Sequence, residues 1–271
     1  MVALFETIGR LRILEPAFVS ITYGAGGSTR TRTVELAKRI RNELRLDVLA
    51  HVTCVGATRD ELRRLFDELA AAGIENIMAL RGDPPKGEAA FVAPHGGFAH
   101  ASELIGMLAR EYAFCIGGAC YPEVHPEAPD ADTDMAHLVE KARSGADFLT
   151  TQLFFENDGY FEFVERARAA GIGVPIIPGI MPITDYRQLR RFTEMCGAKI
   201  PASLQSELER RSTEPEAIAE LGVAYATLQC ADLLARGAPG IHFYTLNRSP
   251  ATGAVCSALR AANRWPELIA P

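Results

Sequence analysis

Several features that would point to a membrane, a nucleic acid or a hydrolase are missing from this chain. No apolar stretch approaches the length that spans a bilayer, and the N-terminus MVALFETIGR lacks the basic-then-apolar form of a signal peptide. The expectation is a cytoplasmic protein with no membrane partner. Net charge is −6 and there is no Lys/Arg run, which argues against nucleic acid. The cysteines, Cys54, Cys115, Cys120, Cys196, Cys230 and Cys256, are scattered without a C-x-x-C, so free and mostly buried thiols are expected. Nucleophilic hydrolysis has no support, for there is no G-x-S-x-G and no Cys–His pair of recognisable form. No low-complexity linker divides the 271 residues, and the reading is a single domain over 1–271.

What is present is an ordinary globular composition, 48% hydrophobic and 23% charged, arranged in an alternating pattern. Short apolar runs of strand character lie at Phe18–Tyr23, Val48–Cys54, Asn76–Leu80, Cys115–Tyr121, Phe148–Phe155, Val174–Pro178 and Gly240–Tyr244. Stretches of helical period cover Val2–Arg12, Arg32–Glu43, Thr58–Ala72, Ala101–Glu111, Thr133–Ser144, Asp158–Ala170, Asp185–Glu194 and Glu214–Ala235. In Thr58–Ala72, Leu62, Leu65, Phe66 and Leu69 fall at i, i+3, i+4 and i+7, and Thr58 with Glu61 forms a capping box. Strands this apolar, separated by helices, imply a parallel sheet covered on both faces.

A β/α barrel and an open doubly wound sheet both satisfy that pattern, and the polar residues favour the barrel. Thr22-Tyr23-Gly24, His51 with Thr53, Arg81-Gly82-Asp83, Tyr121, Gln152 and Thr245 with Arg248 each follow the apolar part of a strand. In a (β/α)8 barrel those strand ends converge on the face that carries the active site. The count falls one short, because there are seven strand runs and the chain opens on the helix Val2–Arg12. Seven strands leave two unpaired edges, so either a strand precedes residue 1 in the complete gene product or the barrel closes unusually.

Three segments invite a motif reading. GAGGSTR (24–30) stands between a strand and a helix, but it fails G-x-G-x-x-G at Thr29 and the next strand ends without an acid, so no dinucleotide fold is supported. CYPEVHPEAP (120–129) has prolines at 122, 126 and 129, which exclude helix and suggest a stiff extended loop presenting Glu123, His125 and Glu127. Without a second histidine cluster at ligand spacing, a polar wall for an organic ligand is the better reading there than a metal site. In HVTC (51–54), alternation turns His51 towards the pocket and Cys54 into the packing.

In this order and spacing, VSITYGAGGSTR, HVTC, ALRGDPP, YPEVHPEA, TTQLFF, PGIMP and FYTLNR strongly resemble the 5,10-methylenetetrahydrofolate reductases of the bacterial, single-domain type. The resemblance runs from Leu4 to about Ala261. It implies a β/α barrel with non-covalent FAD at the strand ends, and hydride transfer from NADH or NADPH through the flavin to the methylene carbon of the folate. It assigns the flavin to Thr22, Tyr23, Ala25, His51, Leu80, Arg81, Gly82, Asp83, Ala119 and Tyr121. The ribityl, phosphate and adenosine portions fall to His125, Ala128, Asp134 and Lys141, and the cofactor's far end to His100 and Ala101. Folate or nicotinamide falls to Gln152, Gln188, Phe192 and Arg248. Asp83 is implied as an electrostatic catalyst, facing the cationic iminium formed when the methylene bridge opens and tuning the flavin potential.

The chain departs from that family in two places. The family begins with a strand reading roughly F-E-F-F-P-P whose glutamate protonates the folate nitrogen, and the residues here open on the helix after it; Glu6 in that helix does not substitute. Glu140 stands where a basic residue often accompanies the lysine at 141, and an acid beside phosphates would weaken the hold on FAD, leaving FMN open. The leading function is therefore a flavin-dependent methylenetetrahydrofolate reductase, in either direction and as a homo-oligomer. The alternative is a catalytically weak flavin- or folate-binding paralogue that lost its acid.

Overall fold

A parallel strand that is apolar on both faces needs a helix to carry the chain back before the next strand begins. The structure, a computed structural model, follows that rule over the residues it describes, 2–22, 30–84, 87–88, 90–247 and 249–264. The first elements are α1 (Val2–Arg12), β1 (Val19–Ile21), α2 (Arg30–Arg39, continued by a π turn over Ile40–Leu44), β2 (Val48–Thr53) and α3 (Arg59–Ala71). Then come β3 (Asn76–Leu80), α4 (Ala101–Glu111), β4 (Cys115–Cys120), α5 (Ala131–Arg143), β5 (Phe148–Thr151) and α6 (Asn157–Ala169). The remainder is β6 (Ile176–Ile177), β7 (Gly179–Ile180), α7 (Tyr186–Cys196), α8 (Ala202–Arg210), α9 (Pro215–Ala235), β8 (His242–Phe243) and α10 (Ser249–Ala261). Strand order is sequential from β1 to β6, and β7 pairs with β8, which is the order of a β/α barrel. Two compact units are distinguished: Glu15–Ala119 with His137–Leu149, and Met1–Leu14 with Cys120–Ala136 and Thr150–Pro271.

In the first unit the ladder is parallel throughout, with Val19 opposite Val48, Ala50 opposite Ile77 and Ile77 opposite Ile116. Val48, Leu49, Ala50 and Val52 are all buried, as a strand covered on both faces requires. The capping box at α3 forms as expected: Glu61 N donates to Thr58 Oγ1 at 3.3 Å and Thr58 N to Glu61 Oε2 at 2.8 Å. Leu62, Leu65, Phe66 and Leu69 are its buried face. The end of α4 is tied to α3 by a two-pronged Arg63–Glu111 pair at 2.8 and 3.0 Å, both side chains partly exposed.

In the second unit, Leu153, Phe155, Met181, Ile183, Leu189, Leu204, Leu208 and Ile218 form a buried apolar cluster. Two expected strands are corrected here. The run Phe148–Phe155 stops at Thr151, because Gln152 folds its own side chain back to accept from Leu153 N at 2.9 Å. The carbonyls of Phe154 and Phe155 then take donors from Gln229 and Tyr225 on α9, at 3.0 and 2.6 Å. The run Val174–Pro178 shrinks to Ile176–Ile177 and is followed by β7, which the sequence pattern did not reveal. Pro178 has no N–H for a ladder, so the chain changes partner across it. Its carbonyl accepts from His242 N at 2.9 Å.

Helices α8 and α10 were also absent from the expectation. α8 buries only Leu204 and Leu208, while α10 is built largely of small residues, although Thr252, Val255, Cys256 and Leu259 are buried at helical spacing. One statement about length is overturned: α9, at 21 residues, is long and apolar enough to cross a membrane by composition. It nevertheless turns Ile218, Gly222, Ala226, Gln229, Cys230 and Leu233 into the protein. All six cysteines are free, and Cys54, Cys120, Cys230 and Cys256 are buried.

Two stability measurements follow. A Cβ at Gly222 would overlap the carbonyl oxygen of Ile183, whereas one at Gly253 in α10 would meet nothing within 4 Å. Gly222→Ala should lose about 2 kcal/mol or more, and Gly253→Ala should gain about 0.5–1 kcal/mol from helix propensity. Thermal melts of both variants check this, and equal shifts would refute the described packing of α9.

His242 is buried edge-on to Tyr244, and burial lowers its pKa from 6.5 to about 4. Its folded pKa lies below its unfolded one, so the unfolded chain binds more protons between those values and stability falls as pH drops from about 6.5 to 4. The loss from this side chain is roughly 3 kcal/mol at the acid end. Urea midpoints at pH 7 and 4.5 should separate less in His242→Gln than in the unsubstituted protein, and an unchanged separation would show that His242 is protonated when folded.

Candidate active site

In the first unit, the ends of β2 and β3 and the start of α4 are drawn together by Cys54. Its backbone N–H is shared between Leu80 O at 3.2 Å and Arg81 O at 3.0 Å, and its thiol donates to Leu80 O at 3.4 Å and to His100 O at 3.8 Å. Burial pushes the thiol up to about 12, so it stays a neutral donor. The sequence reading of Cys54 as packing is right about its burial and missed this clamp, because nothing in HVTC indicates which carbonyls it meets. Leu80, Arg81 and His100 are thus held together, with Ala101 opening α4 directly after His100. Glu103 accepts from Ala99 N and His100 N at 2.7 and 2.9 Å, which fixes the approach to that helix.

The glycine of Arg81-Gly82-Asp83 has a physical cause. Gly82 sits at φ +89, and a Cβ there would lie 2.5 Å from Val55 Cγ2. Arg81 curls back, Nε donating to Gly82 O at 3.2 Å with its guanidinium 5.2 Å from the Phe91 ring centre. Asp83 is exposed just beyond β3 and forms no ion pair among the described residues. Thr22 is exposed at the end of β1, and His51 is half-buried in β2. Tyr23, Ala25 and Arg248 lie outside the described residues.

Lys141 and Ala119 also come together. The Lys141 stem runs over Gly118, whose added Cβ would lie 2.9 Å from Lys141 Cδ, and the ammonium donates to Ala119 O. Glu140 does not stand beside that ammonium as its sequence neighbourhood suggests: its carboxylate accepts from Ser102 Oγ of α4 at 3.2 Å.

In the second unit, Tyr121, His125, Ala128 and Asp134 form one group. The Tyr121 and His125 rings meet edge to face at 4.5 Å. His125 N donates to Asp134 Oδ2 at 3.0 Å, Ala128 N donates to His125 O at 2.9 Å, and Glu127 N donates to His125 Nδ1 at 3.0 Å. That last bond leaves the ring hydrogen on Nε2. The loop is therefore not extended, as its prolines suggested, but folded into turns, with Val124 N donating to Tyr121 O at 3.3 Å and Val124 at φ +74.

Gln152 is fixed by Gln152 N donating to Cys120 O at 2.8 Å, and its amide NH2 makes no hydrogen bond among the described residues. Gln188 and Phe192 lie one turn apart on α7, which Asp185 caps by accepting from Gln188 N at 2.8 Å. Phe192 packs on the apolar cluster containing Leu153 and Phe155. A cavity of about 740 Å3, lined by Thr7, Arg10, Thr184, Glu220, Val223 and Pro250 among others, includes none of the expected site residues. Its lining surface is mostly apolar and its ionisable side chains are Arg10 and Glu220, so the strand-end residues remain the better candidate.

Comparison with known proteins bears on the chain as a whole. The sequence model of the methylenetetrahydrofolate reductase family matches residues 1–260. Methylenetetrahydrofolate reductase (NADH) 1 of Arabidopsis thaliana is 40% identical over 255 residues, which cover 90% of this chain and 43% of that protein. The 5,10-methylenetetrahydrofolate reductase of Salmonella typhimurium is 39% identical over 256 residues, covering 94% of this chain and 84% of that protein. This chain thus spans less than half the length of the plant relative and most of the bacterial one. Among solved structures, an uncharacterised protein from Clostridium thermocellum that binds two copies of 5-methyl-5,6,7,8-tetrahydrofolic acid aligns with a TM-score of 0.52 at 16% identity, over 93% of this chain and 98% of that one. At that identity the likeness shows the fold alone, and it agrees with the β/α barrel expected from the strand pattern. A match over nearly the whole chain, supported by a bacterial relative aligned along most of its own length, shows that the chain belongs to the methylenetetrahydrofolate reductase family.

Proposed function

We propose that this chain reduces 5,10-methylenetetrahydrofolate to 5-methyltetrahydrofolate with NADH or NADPH, using a bound FAD. The match of residues 1–260 to the family is the observation that supports this most. NADH is the first choice of reductant because the Arabidopsis relative is named for it. The donor chemistry suits FAD: Lys141 brings an ammonium and His125 an Nε2–H, groups that bind phosphate or ribityl oxygens. A bound flavin would supply the hydride relay between nicotinamide and folate.

The chain's own residues do the rest. The Asp83 carboxylate, exposed and free of ion pairs among the described residues, is available to stabilise positive charge on the folate as its methylene bridge opens. Gln152 offers its amide hydrogens to a polar edge of the folate, and Phe192 offers a flat apolar face for a ring to stack on. Cys54 keeps the Leu80–Asp83 turn in place without reacting, since a thiol pushed to about 12 is not a thiolate at neutral pH.

The purified protein should show a flavin absorbance spectrum, alone or after FAD is added. NADH should bleach it, and methylenetetrahydrofolate should then restore the colour. A colourless preparation that takes up neither FAD nor FMN refutes the proposed function.

Asp83→Asn keeps the shape and removes the charge. Folate-dependent reoxidation should fall by roughly tenfold to a thousandfold, the worth of one preorganised electrostatic contact, while NADH oxidation by a quinone acceptor changes little. Equal losses in both half-reactions would assign Asp83 to flavin binding alone.

A further inference from the structure

Glu123 has no assigned part in the chemistry, yet it joins two groups of residues that do. Its carboxylate accepts from the backbone N–H of Lys199 with both oxygens, at 3.0 and 3.3 Å. Lys199 lies in the connector that follows α7, just after the Gly197 cap at φ +75. A Cβ on Gly197 would sit 3.4 Å from Pro126 Cγ, so the connector and the loop 121–128 pack directly together. Burial pushes the Glu123 carboxyl up from its ordinary value, and the Lys199 amide works against that shift. Burial raises the thiol of Cys196, the last residue of α7, and the nearby Glu123 carboxylate adds to that in a minor way.

The residue after Glu123 carries the strain of the arrangement. Val124 is β-branched and sits at φ +74, a conformation that such residues adopt only where their surroundings impose it. Two anchors flank it: Glu123 on Lys199 N, and His125 N on Asp134 Oδ2 at 3.0 Å. Removing the first leaves Val124 free to relax towards an ordinary backbone, and His125 and Ala128 would move with it. On the other side of the tie, α7 carries Gln188 and Phe192.

We propose that Glu123 is a positioning residue that ties the loop bearing His125 and Ala128 to the helix bearing Gln188 and Phe192, so that cofactor-side and substrate-side groups keep one mutual geometry. The use of this tie in folate reduction rests on the function proposed above; the tie itself does not. It acts through other residues and touches no reacting atom.

The experiment compares the flavin-loaded full chain with Glu123→Ala and Glu123→Gln. In Glu123→Ala the KM for methylenetetrahydrofolate should rise on the order of tenfold while kcat changes by less than about threefold, the signature of misplaced binding groups rather than lost chemistry. Glu123→Gln should return KM to within about threefold of the original, because its amide oxygen still accepts from Lys199 N. Amide hydrogen exchange should quicken over both 121–128 and 196–200 in the alanine variant and recover in the glutamine variant. An unchanged KM, a glutamine variant no better than alanine, or quickened exchange in the loop alone would each overturn the proposal. If the unsubstituted protein turns over no folate, the proposed function falls, and the exchange pattern still decides whether Glu123 makes the tie. Should the alanine variant fail to fold, the glutamine variant decides it, since an exchange rate or KM far from the original would show that accepting from Lys199 N is not what the side chain contributes.

Discussion

Parallel strands dictate most of what this chain does. A parallel strand cannot return through a hairpin, so each must hand over to a helix, and every strand of a ladder then ends on the same side. In the first unit Ala50, Ile77 and Ile116 stand in successive register, and Thr22, Thr53 and Arg81 follow at the ends of their strands. In the second, β7 and β8 repeat the arrangement, and Thr184 and Thr245 follow them. Within each unit, strand direction therefore places these polar residues at one end of the ladder, before any of them makes a specific contact.

Short strands carry a cost that nearby side chains help to offset. Strands of two to six residues leave main-chain groups beyond their ends that no ladder satisfies, and buried ones must find other partners. Here side chains supply them: Cys54 to Leu80 O at 3.4 Å, Tyr160 to Ile176 O at 2.8 Å, Tyr244 to Thr151 O at 2.8 Å, Gln229 to Phe154 O at 3.0 Å. The same contacts that terminate strands also immobilise the residues next to them. The turn Arg81-Gly82-Asp83 is held in this way, with Arg81 O accepting from Cys54 N at 3.0 Å and Gly82 O from Arg81 Nε at 3.2 Å.

Legibility follows the range of the interaction involved. The cap at Thr58 and Glu61, the helix Ala101–Glu111 and the strand Asn76–Leu80 were read correctly, because each rests on residues a few positions apart. The strand end at Thr151 and the partner change at Pro178 were not, since they depend on Gln152's own rotamer and on where β8 lies. For the candidate site residues, no contact between them is legible in the sequence. Tyr121, His125, Ala128 and Asp134 were each named, but the hydrogen bonds that unite them bridge up to nine residues, and nothing local announces them. The clamp at Cys54 spans 26 and 46 residues, and the tie at Glu123 spans 76.

The neighbours Glu140 and Lys141 show how a reading by adjacency goes astray. In sequence they are one step apart, and an acid beside a lysine expected to meet a phosphate suggests repulsion of that phosphate. On a helix, one step is a turn of about 100°, so adjacent side chains do not face the same ligand. In α5 the Lys141 ammonium reaches Ala119 O across Gly118, while the Glu140 carboxylate reaches Ser102 Oγ on α4. Glu140 is thereby a tether between two helices, its charge partly occupied by a hydroxyl donor and lying on another side of α5 from the lysine head. Its presence gives no reason to prefer a cofactor with one phosphate over one with two. The electrostatics that matter at this position are set by the direction each side chain leaves its helix, and only secondarily by which charges are neighbours along the chain.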